Sequence, residues 1–365
     1  MEPIRVLQVV PNMHRAGLET LIMNIYRNID REKVQFDFLV HYGARFDYDD
    51  EIESLGGTIH RMTVREDNRF FKYFGDLDRL FKSHSEYKVV HGHMESFGFI
   101  YSHFAKKNGV KTIIAHSHNA LIEPTLKGFV KSVMNKPWKR VATDLFACSE
   151  KAGKFMFGKR DFRVINNGVE TARFAFDEHV RNECREELGV SGKTVIAHVG
   201  RFDPQKNHEF LIDIFAEYQR IDPNSVLLLA GEGPLFDRIK KKVADLGLDD
   251  KVVFLGVRSD LCRLYQAFDI LMLPSLFEGL PVVGVEAQCA GLPMLTSDEV
   301  TAELELTDLV CRYPLEKSPE MWAQKIAELV KTQRTDRSGD VAAAGYDIKE
   351  TAQWLQNFYI DRTEA

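Results

Sequence analysis

Short β-branched and aliphatic runs alternate with helical patterns along nearly the whole chain, and that alternation constrains the fold more than any single motif. Residues 4–10 (Ile4-Arg5-Val6-Leu7-Gln8-Val9-Val10) read as a strand, 18–28 as a helix and 36–40 as a strand. Further strands at 87–90 and 112–115 flank a helical stretch at 98–107. From residue 194 the scheme is more regular: strands at 194–199, 226–229, 251–255, 270–273 and 293–296 are separated by helices at 208–218, 235–246, 261–268 and 282–290. Gly291 stops the last of these helices. Such a series builds a parallel sheet with helices on both faces. At 365 residues the chain exceeds one such core. Two α/β domains are therefore expected, residues 1–170 and 171–345, each a doubly wound parallel sheet. The break is placed where the charge-rich stretch 178–187 interrupts the pattern. A weakly patterned linker, 331–345, precedes a helical segment at 348–359, and residues 346–365 are expected to pack back on the first domain.

Charge balance narrows the partners. Lys and Arg total 48 against 54 Asp and Glu, a net charge of −6. Nucleic-acid binders carry a basic excess, so nucleic acid is not an expected partner. Cys148, Cys184, Cys262, Cys289 and Cys311 are scattered, odd in number and without a CxxC pair. A reducing compartment fits them better than a disulfide framework. Met1-Glu2-Pro3 runs straight into the first strand without a charged leader, and no apolar run approaches the ~18–20 residues that span a bilayer. The expected setting is the cytoplasm.

Open parallel sheets bind ligands beyond the carboxyl ends of their strands, so the residues after each strand carry the functional reading. Glu278-Gly279-Leu280-Pro281-Val282-Val283-Gly284-Val285-Glu286 puts one carboxylate in a loop and a second on the following helix. Pro281 suits a first helical turn, and the N–H groups of Val282 and Val283 favour an anion there. A carboxylate beside an anion site accepts hydrogen bonds from the vicinal hydroxyls of a ribose or hexose; a loop acid followed by a solvated helix Glu has the same spacing. Gly200-Arg201-Phe202-Asp203-Pro204-Gln205-Lys206-Asn207 also follows a strand: Gly200 admits close approach of a ligand, and Arg201 with Lys206 could neutralise a diphosphate. Ala16-Gly17-Leu18-Glu19 and Gly231-Glu232-Gly233-Pro234 are glycine-bearing loops in the same class of position. Neither is the GxGxxG fingerprint, which counts against an NAD enzyme.

Two HxH pairs, His91-Gly92-His93 and His116-Ser117-His118, end strands of the first half. Alternate strand residues face one way, so they could bind a metal or line a polar cleft. No His/Asp/Cys set completes a defined metal pattern, and no metal is expected. Asp47-Tyr48-Asp49, a DxD in an acidic loop, reads as solvated surface. Lys127, Lys131, Lys136, Lys139 and Arg140 place five cations and no acid in residues 127–140, with Phe129, Val130, Val133 and Met134 at helical spacing. That reads either as a basic amphipathic helix contacting an anionic membrane or as a solvated face of a core helix.

Taken in order, Ala16–Glu19, His116-Ser117-His118-Asn119, Asn167-Gly168-Val169-Glu170, Gly200–Asn207, Gly231–Pro234 and Leu273-Pro274-Ser275 with Glu278–Glu286 and Gly291-Leu292-Pro293 resemble the group 1 retaining glycosyltransferases of GT-B fold. Residues 23–30 and 35–40 narrow the likeness to enzymes of bacterial exopolysaccharide and capsule assembly. The resemblance implies two Rossmann-like domains facing a central cleft, the first for the acceptor and the second for a nucleotide-sugar donor. It implies transfer of a hexose or N-acetylhexosamine from a UDP-sugar to a saccharide acceptor, lipid-linked at the inner face of the membrane, without a metal or other cofactor. Arg201 and Lys206 would hold the diphosphate and stabilise the leaving group, Glu286 the ribose and Glu278 the donor sugar. The backbone of Gly279, Leu280 and Val282 would assist, with Gly200 and Gly231 lining the site. Gly17 would close over the diphosphate, His118, or else His116, would sit near the transferred sugar, and Arg258 would flank the base. The family commonly has two glycines where this chain has Ala16-Gly17. A nucleotide-sugar epimerase of the same fold, a non-catalytic donor-binding subunit and a histidine-metal hydrolase are the competing readings.

Overall fold

In β2 (Val34–Val40) every residue is buried, the condition of a strand covered on both faces of a parallel sheet. It belongs to a sheet whose other strands, among the residues the structure describes, are β1 (Ile4–Val9), β3 (Ile59–Arg61), β4 (Tyr87–Gly92), β5 (Thr112–Ser117), β6 (Asp144–Ala147) and β7 (Arg163–Val164). The structure is a computed structural model describing residues 2–95, 97–118 and 138–364. The strand order is 3-2-1-4-5-6-7, parallel throughout. Alternation along β1 sends Val6 to one face, where it packs with Phe36 and Phe38, and Leu7 and Val9 to the other.

A second sheet contains β8 (Thr194–Val199), β9 (Ser225–Ala230), β10 (Val252–Gly256), β11 (Ile270–Leu273), β12 (Met294–Ser297) and β13 (Val310–Tyr313), in the order 10-9-8-11-12-13. Its faces divide in the same way: Val195, Ala197 and Val199 enter one core, Ile196 the other. Both orders reverse direction beside the first strand of the unit, between β1 and β4 and between β8 and β11. This is the doubly wound topology, which leaves a crevice at the reversal.

The chain divides into two units, Met1–Asn167 with Ile348–Ala365, and Gly168–Asp347; the sequence had suggested breaks after 170 and 345. The helix Ile348–Glu364 brings Ile348, Ala352, Leu355 and Tyr359 onto the core of the first unit beside Leu21, Tyr26 and Phe36. Their spacing of four, three and four residues keeps them on one helical face.

Two expectations about connecting segments are corrected. The charge-rich stretch Glu178–Glu187 is a helix within the second unit, not a break between units. Asp177 caps it, accepting from the N–H groups of His179 (2.8 Å) and Val180 (3.0 Å), and its Arg181 and Arg185 pair with Asp269. Residues 331–345 are not a linker either. The Arg334 guanidinium donates to the carbonyls of Gln266 (2.7 Å) and Phe268 (2.8 Å), and burial lowers its pKa to about 9. The polarity that hid this packing from the sequence pattern is what satisfies carbonyls at the end of the helix Leu261–Ala267.

Candidate functional site

At the reversal of the second sheet the loops after β8 and β11 are tied together. The Leu276 N–H donates to the Gln205 carbonyl at 2.8 Å, and Asn207, at φ 55°, donates from its side chain to the Pro274 carbonyl at 3.1 Å. Glu278 sits where they meet. Its carboxylate forms an ion pair with Lys206 and accepts from Gln205 Nε2 at 3.1 Å and Ser275 Oγ at 3.0 Å. The pair is well covered, with side-chain exposures of 16% for Lys206 and 8% for Glu278. Both charges are therefore held in fixed positions, at a desolvation cost that their mutual attraction and the hydrogen bonds from Gln205 and Ser275 offset in part. Arg201, on the same loop as Lys206, is exposed, and its guanidinium has no partner among the described residues.

The backbone around this pair is closely stacked. Gly231, at φ +140°, lies so near the first loop that a Cβ there would come within 2.0 Å of the Gly200 carbonyl oxygen. A side chain at 231 would push the Arg201 loop out of place. Gly279 and Leu280 lead through Pro281 into the helix Val282–Cys289, whose first N–H groups lack intrahelical acceptors. On that helix Glu286 accepts from the Tyr265 hydroxyl at 2.9 Å. Burial pushes its carboxyl up to about 7, with the Tyr265 hydrogen bond and the Arg173 charge pulling the other way. Arg258 is held instead by Asp260, in a two-pronged pair at 2.8 and 2.6 Å on the rim of the unit.

In the first unit the four strand-end histidines converge. His91 Nε2 lies 3.1 Å from His116 Nδ1, and His93 Nδ1 lies 2.9 Å from His118 Nε2. Outer partners are the Tyr359 hydroxyl, 2.7 Å from His91 Nδ1, and Gln8 Oε1, 2.9 Å from His93 Nε2. His91, His93 and His116 bring ring nitrogens within 4.8 Å of one another, close enough to share one ion. However, the rings pack closely (His91 stacked on His93 with centroids 4.3 Å apart, His116 tilted against His118 at 4.1 Å) and facing nitrogens are already hydrogen-bonded to each other. The arrangement is that of a polar ladder. Burial drives His91, His93 and His116 well below the ordinary imidazole value and His118 to about 3, so all four are neutral.

Gly17 opens the helix Gly17–Asn28, and Ala16 before it is extended at φ −127° and ψ 172°. Any residue adopts that conformation, so alanine in place of a second glycine costs no backbone strain. Asp49 departs from the expectation of solvated surface. It is fully buried and accepts from Arg61 Nη2 at 2.7 Å and the Phe46 N–H at 2.8 Å, a structural role; Asp47 is exposed. Of the basic stretch, residues 127–137 lie outside the described residues, and Trp138, Lys139 and Arg140 begin a short helix with Trp138 buried. Among the described residues no helix is long and apolar enough to cross a membrane. The sequence reading missed Gln205, Ser275, Tyr265 and Gln8. The first two lay inside motifs read for their charges, whereas Tyr265 and Gln8 reach their partners only through tertiary structure.

Residues 180–345 match the family model described as glycosyl transferases group 1. The chain is 34% identical to the Bacillus subtilis (strain 168) protein named as glycosyltransferase EpsF, over 99% of this chain and 97% of that one. The chain belongs to the group 1 glycosyltransferases. An Escherichia coli relative, UDP-Gal:alpha-D-GlcNAc-diphosphoundecaprenol alpha-1,3-galactosyltransferase, is 29% identical over 58% of each chain. The crystal structure of Anabaena Alr3699/HepE in complex with UDP superposes with a TM-score of 0.80 at 19% identity, covering 98% of this chain and all of that one. The fold is GT-B, and the tied loops at the β8/β11 reversal are part of a glycosyltransferase.

Proposed function

We propose that the chain transfers a hexose or N-acetylhexosamine, with retention of anomeric configuration, from a UDP-sugar to a lipid-linked saccharide in exopolysaccharide or capsule assembly. The observation that carries this reading is the β8/β11 crevice. There an ion pair, Lys206–Glu278, is fixed by Gln205 and Ser275 beside an exposed Arg201 that has no partner among the described residues. An anion such as a diphosphate supplies the missing partner for Arg201 and competes with Glu278 for Lys206. As the sugar leaves the β-phosphate, negative charge grows on the diphosphate, and the fixed Lys206 together with Arg201 stabilises that charge more than the ground state. They do the work a divalent metal does elsewhere, so the proposed transfer needs no metal or other cofactor.

The remaining roles follow the chemistry of the groups. Glu278 accepts hydrogen bonds from hydroxyls of the donor sugar, and the N–H groups from Gly279 through Leu280 to Val282 face the anion. Glu286 accepts from the ribose, Arg258 flanks the base, and Gly200 and Gly231 leave room for backbone contact with the phosphates. The first unit binds the acceptor, with His118, or else His116, beside the transferred sugar and Gly17 at the diphosphate. The E. coli relative's name supports both the uridine and the lipid-diphosphate acceptor. Cytoplasmic placement with peripheral membrane contact through residues 127–140 completes the proposal.

The test supplies radiolabelled UDP-sugars, with EDTA, to the purified enzyme and lipid-linked saccharides extracted from bacterial membranes. Label entering the lipid fraction with release of UDP, lost on Arg201→Ala, is the expected result. Conversion of the donor sugar without acceptor would instead identify an epimerase. Donor binding with no transfer to any acceptor would leave a binding subunit.

A further inference from the structure

A neutral imidazole has one N–H and one lone pair, so a row of imidazoles bonded in series has a direction, set by whatever stands at its end. Gln8 in β1, His93 just after β4 and His118 just after β5 form such a row across three neighbouring strands. Gln8 Oε1 is an acceptor only, and it lies 2.9 Å from His93 Nε2, which therefore carries the proton. His93 Nδ1 is then a lone pair, and His118 Nε2, 2.9 Å away, must donate to it. Among the described residues His118 Nδ1 has no partner. Gln8 and His93 are 1% and 6% exposed, so bulk water does not substitute for either bond.

We propose that Gln8 and His93 are positioning residues that lock His118 in the Nε2-protonated tautomer, leaving the Nδ1 lone pair as the nitrogen offered to substrate. The functional consequence rests on the reading of His118 as the residue beside the transferred sugar. A lone pair there accepts a hydrogen bond from a sugar hydroxyl, whereas the opposite tautomer offers an N–H and selects an acceptor atom. Because burial keeps His118 neutral, the imidazole does not adapt by taking a second proton, and the tautomer decides what it can bind. The second row runs from the Tyr359 hydroxyl to His91 to His116 and does not include His118. It ends at His116 Nε2, a buried nitrogen without a partner among the described residues.

The direction of the row depends on which way the Gln8 amide faces. Turned over, its nitrogen would donate to His93 Nε2, and every bond would reverse to leave an N–H at His118 Nδ1.

Two-bond 1H–15N correlation spectra of the full chain, labelled on histidine nitrogens and assigned with His118→Gln, read the tautomer directly. The expected wild-type signal for His118 is a protonated Nε2 and an unprotonated Nδ1. Gln8→Leu removes the acceptor: His118 should become a mixture of tautomers, and kcat/KM for the donor should fall in proportion to the lost Nε2-protonated fraction, about twofold for an even mixture. Gln8→Glu returns an acceptor oxygen to His93 Nε2 and should restore the wild-type tautomer. A protonated Nδ1 in the wild type overturns the proposal, as does an unchanged tautomer in Gln8→Leu. The wild-type spectrum decides even if a variant fails to fold. Full transfer by His118→Ala with the expected wild-type tautomer would remove His118 from the reaction while leaving the row as assigned.

Discussion

Donor affinity should depend on pH through Glu286. The carboxyl is enclosed, bonded to Tyr265 at 2.9 Å, and pushed by burial from 4.5 to about 7. If its role is to accept hydrogen bonds from ribose hydroxyls, only the carboxylate binds the donor well. The competent fraction is then about one tenth at pH 6 and about nine tenths at pH 8, and apparent affinity scales with that fraction. Calorimetric titration with an intact UDP-sugar should give roughly tenfold weaker binding at pH 6 than at pH 8. The intact sugar nucleotide is the right probe because its diphosphate, esterified at both ends, keeps its charge across this range. Glu286→Gln should bind more weakly but with a flat profile. The same group acts on the free protein with the opposite sign. A carboxyl whose folded pKa is raised stabilises the fold below 4.5, and that contribution is lost as pH rises to about 7. A wild-type affinity that is level from pH 6 to 8, or a slope retained in Glu286→Gln, would refute the assignment.

Other substitutions probe the remaining parts. Arg201→Ala should lower kcat by about 10²–10³-fold while leaving the melting temperature near that of the wild type, because the side chain is exposed and has no partner among the described residues; an unaltered rate sinks its role. Gly231→Ala brings a Cβ to 2.0 Å from the Gly200 carbonyl at a φ of +140°. Calorimetry should find about 1–3 kcal/mol of lost stability and weakened donor binding, and an unperturbed melt would contradict the contact. Ending the chain at Asp347 removes Ile348, Ala352, Leu355 and Tyr359, all fully buried. At about 2–5 kcal/mol for each large side chain, the first unit should lose its cooperative transition; a melt like that of the full chain would argue against the packing. Changing Lys131, Lys136, Lys139 and Arg140 to Gln should reduce binding to anionic vesicles in flotation assays, and undiminished binding removes the membrane role from this segment.

Much of this was legible in the sequence because the fold is written in period. Strands 194–199 and 270–273 could be bounded from aliphatic runs alone, since fully covered parallel strands tolerate little else. Strand-end positions for Arg201, Lys206, Glu278 and the histidine pairs followed from the same pattern. Short edge strands such as Arg163–Val164 and Val310–Tyr313 were not readable, because a partly exposed edge needs no continuous apolar run. The helix at 178–187 and the Arg334 segment were mistaken for connections because their charges are satisfied by Asp269 and by carbonyls distant in sequence. Asp49 was misread for a similar reason: its partner Arg61 lies twelve residues away. The ladder's direction, set by Gln8, has no sequence signal, because the amide and the imidazole it orients are 85 residues apart.

The claim that nucleotide-sugar binds at the β8/β11 crevice is tested most directly by thermal shift of the wild type and of Arg201→Ala/Lys206→Ala, with UDP, GDP, ADP and their sugar conjugates, in EDTA. A ligand at a hundredfold excess over its Kd stabilises the folded state by about 2.7 kcal/mol. The account predicts a raised melting temperature with the uridine set, insensitive to EDTA and absent from the double variant. No shift with any nucleotide, or an equal shift in the double variant, would contradict it.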